Sequence, residues 1–251
     1  TSQDAYGVKI DDTLNPIVTF YGDTVPTDDL LFWYDPNLAG TISGSTVKNG
    51  IDPNNSAQNG TWTSTPNTGT QDGKTYWDIS TNRLDVGPSN GYGFTTGTSN
   101  AYTVFTNFKR DSHTNSQWIL FDYNGQYDGS STTDRGIFCH LWSDSRVYFD
   151  TNANGSSYNR YYTGGVLSTN TWYTLILTQS GSSKAIYLNN SSQSVTTSNG
   201  GLNNLTLGSA VGRLGCPYGT SVDSKFTVFG AYNKVLSATE RQALHNAIRI
   251  S

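Results

Sequence analysis

The sequence predicts an all-β domain with a single short helix near its C-terminal end. Ser, Thr, Asn and Gly, which are weak helix formers, supply 113 of the 251 residues. Aromatic residues are abundant, with 16 Tyr and 6 Trp, and aromatic side chains favour strands. More than ten short extended segments alternate with turn residues, a pattern typical of a sandwich or a barrel.

The extended segments follow one another from residue 30 onward. The first is the apolar run Leu30–Tyr34. Residues 38–74 are mostly small and polar, so they predict long surface loops with brief strands and little core. The other predicted strands are 75–79, 84–86, 101–108, 117–123, 136–142, 146–150, 158–162, 171–178, 184–189, 204–207 and 225–232.

Residues 1–28 differ from the rest of the chain. Their two short extended segments, 5–10 and 16–21, are separated by acidic and turn residues. We therefore predict an arm of docking or linking strands at 1–28 and one domain at 29–251. A terminus without its own core frays unless it is held, so we expect docking on the domain or on a neighbouring subunit. The first residue, Thr1, fits both removal of an initiator methionine and cleavage of a leader.

The last element is predicted to be a helix. Ser237 and Glu240 have the spacing of a capping box, in which each side chain bonds the other residue's backbone N–H. Leu244, Ala247 and Ile248 then recur at helical spacing and form an apolar stripe for the sheet. We assign Ser237 and Glu240 a structural capping role.

Motifs concentrated after residue 170 resemble one known family. Residues 171–178 (TWYTLILT) lead into 184–190 (KAIYLNN), and this hairpin is similar to the "W-y-x-l-x-l-t … i-Y-v-N-G" hairpin of laminin-G-like, concanavalin A-like domains. Residues 205–208 (LTLG) resemble the family's "l-x-i-G" strand. Residues 226–240 (FTVFGAYNKVLSATE) look like its closing segment, which ends in "i-Y-n-r-a-L-s-x-x-E-i".

The opening residues 30–35 (LLFWYD) are similar to the "l-v-l-y-l-D" start of versions of this domain in phage structural proteins. The resemblance covers about residues 29–250. It implies a concanavalin A-like jelly-roll sandwich of two antiparallel sheets. The family carries lectins, adhesion domains, glycan lyases, glycosidases and virion parts, so the fold does not select a function. The family's opening strand usually continues into a Trp-Asp and Asn-Gly-rich signature, and the chain departs from it there, because residues 36–74 contain Asn-Gly pairs only at 49–50 and 59–60.

Charge and hydropathy each argue against one class of partner, nucleic acids and membranes respectively. The 15 basic and 19 acidic residues give a formal net charge of −4, and no basic run occurs. Binding to a nucleic-acid backbone is therefore not expected. The longest apolar run, Leu30–Tyr34, is far shorter than the ~20 residues that span a bilayer, so no membrane insertion is expected either.

The residues needed for hydrolysis are scarce. Glycoside hydrolysis commonly uses two carboxylates, and the glucanase branch of the superfamily places Glu-x-Asp-x-Glu on one strand. Glu240 is the only glutamate of this chain and lies in the predicted cap. His113, His140 and His245 fall on three different predicted elements, without metal-ligand spacing. We therefore predict that the protein is not an enzyme.

A structural Ca²⁺ ion is the one cofactor that the sequence leaves open. Relatives hold Ca²⁺ through Asp, Asn and backbone carbonyls, and this chain has a run of aspartates at 122, 128, 134, 144 and 150. No EF-hand-like string occurs, and ordinary Asp turns account equally for the pattern.

The two cysteines permit at most one disulfide. Cys139 lies among apolar residues and is predicted to be a buried free thiol. Pairing with Cys216 stays open.

One predicted hairpin carries the candidate binding face. With 143–145 as its turn, alternation points Ile137, Cys139, Leu141, Val147 and Phe149 toward the core. The other face mixes aromatic rings with hydrogen-bonding groups, which suits sugars and equally suits packing or a subunit interface. Its candidates are His140, Trp142, Arg146, Tyr148 and Asp150, extended by Tyr158, Tyr161 and Tyr162.

Three functions fit these features. The first is a non-enzymatic virion protein, such as a phage fibre, spike or decoration subunit on the virion surface, that assembles with other virion subunits or itself. Such a protein could also bind host-surface glycans, with avidity replacing single-site affinity. The second is a secreted carbohydrate-binding module or cell-surface adhesin. The third is a self-assembling extracellular filament subunit that uses the arm as an added strand.

Overall fold

The computed structural model describes residues 18–20, 23–38, 40–51, 56–79, 82–86, 93–111, 117–123, 135–154, 157–198, 205, 212–215 and 224–250. Within them lie twenty strands, a 3₁₀ helix at Ser56–Gln58 and the helix α1 at Ala238–Ile248. The strands are β1 (Val18–Phe20), β2 (Asp23–Val25), β3 (Leu30–Tyr34), β4 (Ile42–Ser43), β5 (Thr46–Val47), β6 (Gly60–Trp62), β7 (Asn67–Gln71), β8 (Lys74–Ile79), β9 (Arg83–Val86), β10 (Ala101–Arg110), β11 (Gln117–Tyr123), β12 (Arg135–Trp142), β13 (Val147–Asn154), β14 (Ser157–Thr163), β15 (Trp172–Ser180), β16 (Ser183–Leu188), β17 (Ser191–Ser192), β18 (Val195–Ser198), β19 (Gly212–Gly215) and β20 (Ser224–Tyr232).

Two antiparallel sheets form a sandwich. An eight-stranded sheet has the order β17-β16-β15-β10-β20-β8-β7, and β3 also pairs with β20. A ten-stranded sheet has the order β18-β14-β13-β12-β11-β19-β9-β6-β5-β4. Strands β1 and β2 form a small separate ribbon. This arrangement confirms the predicted all-β sandwich of two antiparallel sheets with one C-terminal helix.

The main core lies between the sheets and is rich in aromatic side chains. Alternation along β10 points Tyr102, Val104 and Phe108 into it. Each fully buried side chain of this size contributes about 1.5–3 kcal/mol. The stretch 38–74 supplies more core than its composition predicts, because Val47 and Trp62 are buried in the same cluster.

A second core covers the outer face of the eight-stranded sheet. There α1 presents Leu244, Ala247 and Ile248, the stripe expected from the sequence, to side chains of β3, β10, β15 and β20. Val25 of β2 is buried in the same cluster, and the Tyr232 hydroxyl donates to the Pro26 carbonyl at 2.9 Å. Residues 1–17 lie outside the described residues, so the boundary of the arm remains a prediction.

The helix α1 is capped locally at its N-terminal end and is bonded to a strand at its C-terminal end. Ser237 is the N-cap: its hydroxyl accepts from the Glu240 N–H at 3.3 Å, and the Glu240 carboxylate accepts from the Ser237 N–H at 2.7 Å. Partial burial raises the pKa of Glu240, but hydrogen bonds from Lys234 and Ser237 more than offset this and lower it. At the other end, Asn107 donates to the Ile248 carbonyl at 2.7 Å. The lone glutamate is therefore engaged in a cap.

Two sequence expectations fall partly outside the described residues. Of the predicted strand 204–207, only Leu205 is described, and it forms an isolated bridge with Gly97. Cys139 is a buried free thiol, and burial raises its pKa well above the ordinary value, with the charge of Asp150 acting in the same direction. Cys216 lies outside the described residues.

The close approach of Phe105 to Gly230 yields a stability prediction. A Cβ at Gly230 would lie 2.1 Å from Phe105 Cζ, and the Phe105 ring is itself packed 5.0 Å from that of Trp33. We expect Gly230→Ala to destabilise the domain by about 1–3 kcal/mol, because the ring must move in a packed core. The measurement is the urea midpoint. Gly165→Ala, where nothing lies within 4 Å of the new Cβ, is the control. Equal midpoints for the two variants would contradict the packing described.

Candidate functional site

The hairpin of β12 and β13 has the register expected from the sequence. His140 lies opposite Tyr148 and Phe138 opposite Asp150, while the Trp142 N–H bonds the Arg146 carbonyl at 3.4 Å. The core face is filled as expected, since the five side chains predicted to point inward are all buried: Ile137, Cys139, Leu141, Val147 and Phe149. The opposite face of this hairpin is the outer face of the ten-stranded sheet.

Strand β14 extends this outer face, with one correction to the prediction. Tyr162 pairs with Tyr148, and so shares its face, whereas Tyr161 pairs with Phe149 and packs against the main core. The placement of Tyr161 on the binding face is therefore wrong, because side chains alternate and register decides which tyrosine points outward. The side chain of Tyr158 lies outside the described residues.

Two other candidates, His140 and Asp150, belong to the outer face but are covered by neighbouring side chains. His140 is 0% exposed and lies between the rings of Phe138, at 4.7 Å, and Tyr148, at 5.0 Å. Asp150 is 2% exposed and accepts two hydrogen bonds from Arg160, at 2.8 and 2.6 Å. Larger neighbours cover both, so neither group is accessible to a ligand. A role for them in direct contact is not supported by this geometry.

The aromatic rings of this face stack on one another. His140 and Tyr148 are 5.0 Å apart with an 11° interplanar angle, and Tyr148 and Tyr162 are 5.1 Å apart at 21°. The Arg160 guanidinium lies 5.3 Å from the Tyr148 ring. Ring faces are thus occupied by other rings or by a cation. Trp142, at 39% exposure, is the side chain of this row that offers a large aromatic surface to solvent.

We call Trp142, Asp144, Arg146 and Tyr148 the hairpin tip. The Tyr148 hydroxyl donates to Asp144 Oδ2 at 2.8 Å, and the Arg146 backbone N–H donates to Asp144 Oδ1 at 3.1 Å. The Arg146 guanidinium lies 3.8 Å from Asp144 and 5.7 Å from the centre of the Tyr162 ring. Trp142 and Tyr148 have ring centroids 6.3 Å apart. The hairpin tip therefore places an indole, a carboxylate, a guanidinium and a phenol side by side.

Asp144 was not among the candidates predicted for this face. Its position in the sequence could have indicated this role, because an Asp in a tight turn commonly accepts a hydrogen bond from the backbone N–H of the residue two positions later. That bond holds the carboxylate over the start of β13, within reach of the outward side chains of Arg146 and Tyr148.

The tip has donors and acceptors that remain available. Burial and then the hydrogen bond and charge of Asp144 raise the pKa of Tyr148 to about 12, against smaller opposite effects of Arg146 and Arg160. The phenol therefore stays protonated at neutral pH and keeps donating to Asp144. Among the described residues, the Arg146 guanidinium donates no hydrogen bond; its Nε is buried, so the terminal Nη groups of this 36% exposed side chain are the donors that a ligand can reach.

Arg110 holds the turn of the hairpin from below. This buried side chain, at the end of β10, donates to Ser145 Oγ at 3.2 Å and to the Leu167 carbonyl at 2.7 Å. Leu167 in turn donates its N–H to the Ser145 carbonyl at 2.8 Å. Ser145 has φ of 65°, an unfavourable conformation for serine that persists only where its surroundings enforce it. The tip is thus anchored to the other sheet.

Lys184 of β16 is a second anchor under the same strands. Its ammonium group is buried and donates to the carbonyl of Phe149, at 3.3 Å, and to that of Asn159. It also lies 4.5 Å from the centre of the Phe149 ring. Burial lowers the pKa of Lys184 to about 7, with Asp150 acting to raise it and Arg160 to lower it.

The described residues contain no group of three or more His, Cys, Asp or Glu side chains placed to hold a metal ion. Of the aspartate run considered for Ca²⁺, Asp144 and Asp150 bond Tyr148 and Arg160. The side chains of Asp122, Asp128 and Asp134 lie outside the described residues. No helix in the described ranges has the length and hydropathy to cross a bilayer.

Comparison with solved structures places the chain among β-sandwich domains. It superposes on Trypanosoma rangeli sialidase with a TM-score of 0.63 and 12% identity, over 88% of this chain and 33% of the sialidase chain. It superposes on the same sialidase in complex with sialic acid with a TM-score of 0.61 and 13% identity, over 89% of this chain and 34% of the sialidase chain. It superposes on the binding domain of Paraclostridial Mosquitocidal Protein 1 with a TM-score of 0.65 and 13% identity, over 87% of this chain and 52% of that chain.

These similarities concern the fold. The chain spans about a third of the length of the sialidase chains and about half of the Paraclostridial chain. No protein-family model matches the sequence. No curated protein matches it either.

The buried amine of Lys184 generates a prediction about pH. The unfolded chain protonates this lysine near 10.5, but the folded domain does so only near 7, so stability falls as the pH is lowered from 10.5 to 7. We expect the difference in unfolding free energy between Lys184→Met and the parent to shift in favour of the variant as the pH falls from 10 to 7, because only the parent must desolvate an amine that is charged in the unfolded chain.

The measurement is the urea unfolding free energy of parent and variant at several pH values between 7 and 10. Lys48→Met, which removes a lysine that is not buried, controls for the general loss of a positive charge. A difference between parent and Lys184→Met that does not change with pH would contradict the buried, weakly basic amine.

Proposed function

We propose that the protein is a non-enzymatic glycan-binding β-sandwich whose contact site is the hairpin tip. The observation that carries the proposal is the half-exposed indole of Trp142 next to the polar groups of Asp144, Arg146 and Tyr148. The C–H face of a sugar stacks on an aromatic ring, while its hydroxyls need both donors and acceptors nearby. The hairpin tip offers all three.

The tip is also built to keep its geometry. Arg110 and Lys184 bond it and its strands to the opposite sheet, and Asp144 is held by two hydrogen bonds. Preorganised groups lose little entropy on binding, which favours recognition by a small surface. The solved structures with this fold include a sialidase in complex with sialic acid and a binding domain, which is compatible with glycan or receptor recognition.

Several features support binding without catalysis. The tip contains one carboxylate, whereas glycosidases usually place two around the bond, and Glu240 is engaged in the cap of α1. Some sialidases use a tyrosine nucleophile, and Tyr148 beside Asp144 is the nearest equivalent at the tip. Its pKa near 12 leaves the phenol protonated and a poor nucleophile.

For the setting, we favour a virion surface, with the chain as a subunit of a phage fibre, spike or decoration. The resemblance of its opening strand to phage versions of the domain supports this, as does a composition rich in Ser, Thr, Asn and Gly. A single indole on an open tip gives weak binding, which repeated copies on a particle would convert into avidity. A secreted carbohydrate-binding module, an adhesin or a filament subunit are the alternatives.

The binding proposal predicts the effect of removing the indole. We expect Trp142→Ala to weaken glycan binding at least about tenfold, because stacking on an aromatic ring supplies much of the contact. The domain should stay folded, with an unfolding free energy lower by about 0.5–2 kcal/mol, because Trp142 is 39% exposed but its ring contacts those of His140 and Tyr148. The measurement is binding to a glycan array, followed by titration with the best ligand.

Ile42→Ala is the matched control, since Ile42 is similarly exposed but lies on β4 at the far edge of the sheet. It should bind as the parent does. Equal binding by Trp142→Ala and the parent would remove the hairpin tip as the site. Hydrolysis of the array sugars by the parent would contradict the non-enzymatic part of the proposal.

The setting predicts assembly through the arm. We expect the full chain to form a defined oligomer and a variant beginning at Val18 to be smaller, measured as mass in solution by light scattering. Starting at Val18 keeps Val25 and Pro26 on the domain, so loss of fold does not confuse the result. Monomers in both cases would favour the free-standing binding module over the virion subunit.

A further inference from the structure

We infer that the hairpin tip selects neutral sugars over acidic ones, with Asp144 as the residue that determines this preference. The inference rests on the proposed function, since it names the ligand class of the same site. It comes from the charges of the tip and from how its hydrogen-bonding groups are already used.

The tip carries no net charge. Asp144 and Arg146 are equally exposed, with 36% of each side chain accessible, and lie 3.8 Å apart. Arg160, the next cation on this face, is bonded at 2.6 Å to the buried Asp150. Each guanidinium is thus matched by a carboxylate. The chain as a whole has a formal net charge of −4, so no long-range field attracts an anion.

The carboxylate of Asp144 is held in place by a hydrogen bond to each of its oxygens. Oδ2 accepts from the Tyr148 hydroxyl at 2.8 Å, and Oδ1 accepts from the Arg146 N–H at 3.1 Å. An anionic sugar that bonded the Arg146 guanidinium would bring its own carboxylate or sulfate close to this fixed negative charge. Like charges at such separations disfavour binding, more so at a partly desolvated surface.

A sugar hydroxyl meets no such barrier. It accepts from the outward N–H groups of Arg146 and donates to the remaining lone pairs of Asp144, and adjacent hydroxyls can do both at once. A carboxylate or sulfate group is an acceptor only and cannot donate to Asp144. The donor and acceptor set of the tip therefore matches a neutral diol, beside the stacking surface of Trp142.

This inference separates the chain from one of the structures whose fold it shares. A sialidase that this chain matches over 34% of the sialidase's own length has been solved with sialic acid, an acidic sugar. If the matched part of that sialidase held the ligand, transfer by fold alone would predict an acidic glycan here. The paired charges of the tip predict the opposite.

The experiment compares matched glycans, neutral and acidic, on the intact chain. Lactose and 3′-sialyllactose are the first pair, and the array supplies further pairs that differ by one sialic acid, uronate or sulfate. We expect the neutral member of each bound pair to bind at least about tenfold more tightly. Its binding should change little between about 0.05 and 0.5 M salt, because no net charge is neutralised.

Asp144→Asn keeps the shape of the side chain and removes its charge. We expect it to reduce the preference for the neutral member by about threefold or more, mainly by strengthening binding of the acidic one. Asp78→Asn, on the other sheet with a side chain 38% exposed, is the matched control and should leave the preference unchanged.

The outcomes separate the two claims. Tighter binding of acidic members by the parent chain would overturn the neutral preference and leave the proposed glycan binding intact. An unchanged preference in Asp144→Asn would remove Asp144 as its cause. Binding of no glycan at all would overturn the proposed function itself.

Discussion

The strict alternation of side chains in the β12–β13 hairpin is the constraint on which the site depends. Five apolar side chains on one face must reach the core, and this fixes the register of the hairpin. A slip by one residue would bury Arg146 and Tyr148 and expose Val147 and Phe149. The outward placement of the hairpin tip is therefore a consequence of core packing, and no further interaction is needed to fix it.

Much of the fold could be predicted because local patterns determine it. Alternation located the strands, and the spacing of Ser237 and Glu240 located the start of α1. The site was predicted less completely. Tyr161 was assigned to the wrong face because the register between β13 and β14 includes an irregularity after Thr151 that the sequence does not announce. The stacking of rings face to face depends on three strands at once, which no local pattern contains.

The anchors of the site were invisible in the sequence for a similar reason. Arg110 and its partner Ser145 are 35 residues apart in the sequence, and so are Lys184 and its partner Phe149. Each crosses from the eight-stranded sheet to the ten-stranded one. The bond from the buried Arg110 to Ser145 explains how an exposed turn with an unfavourable backbone conformation stays in place. The polar residues inside this sandwich thus stabilise the geometry of its surface.

The free thiol of Cys139 lies directly beneath the outer face, on the core side of the same strand that carries His140 and Trp142. A thiol reagent can reach it only when the two sheets separate locally, so its rate of alkylation reports that opening. In the closed state burial also raises the pKa of the thiol, so the buried group is held in its unreactive protonated form until the opening exposes it. The alkylation rate of Cys139, followed by peptide mapping, therefore measures how often the hairpin opens locally. The label is placed in the core, so the surface proposed to contact a ligand is left unmodified.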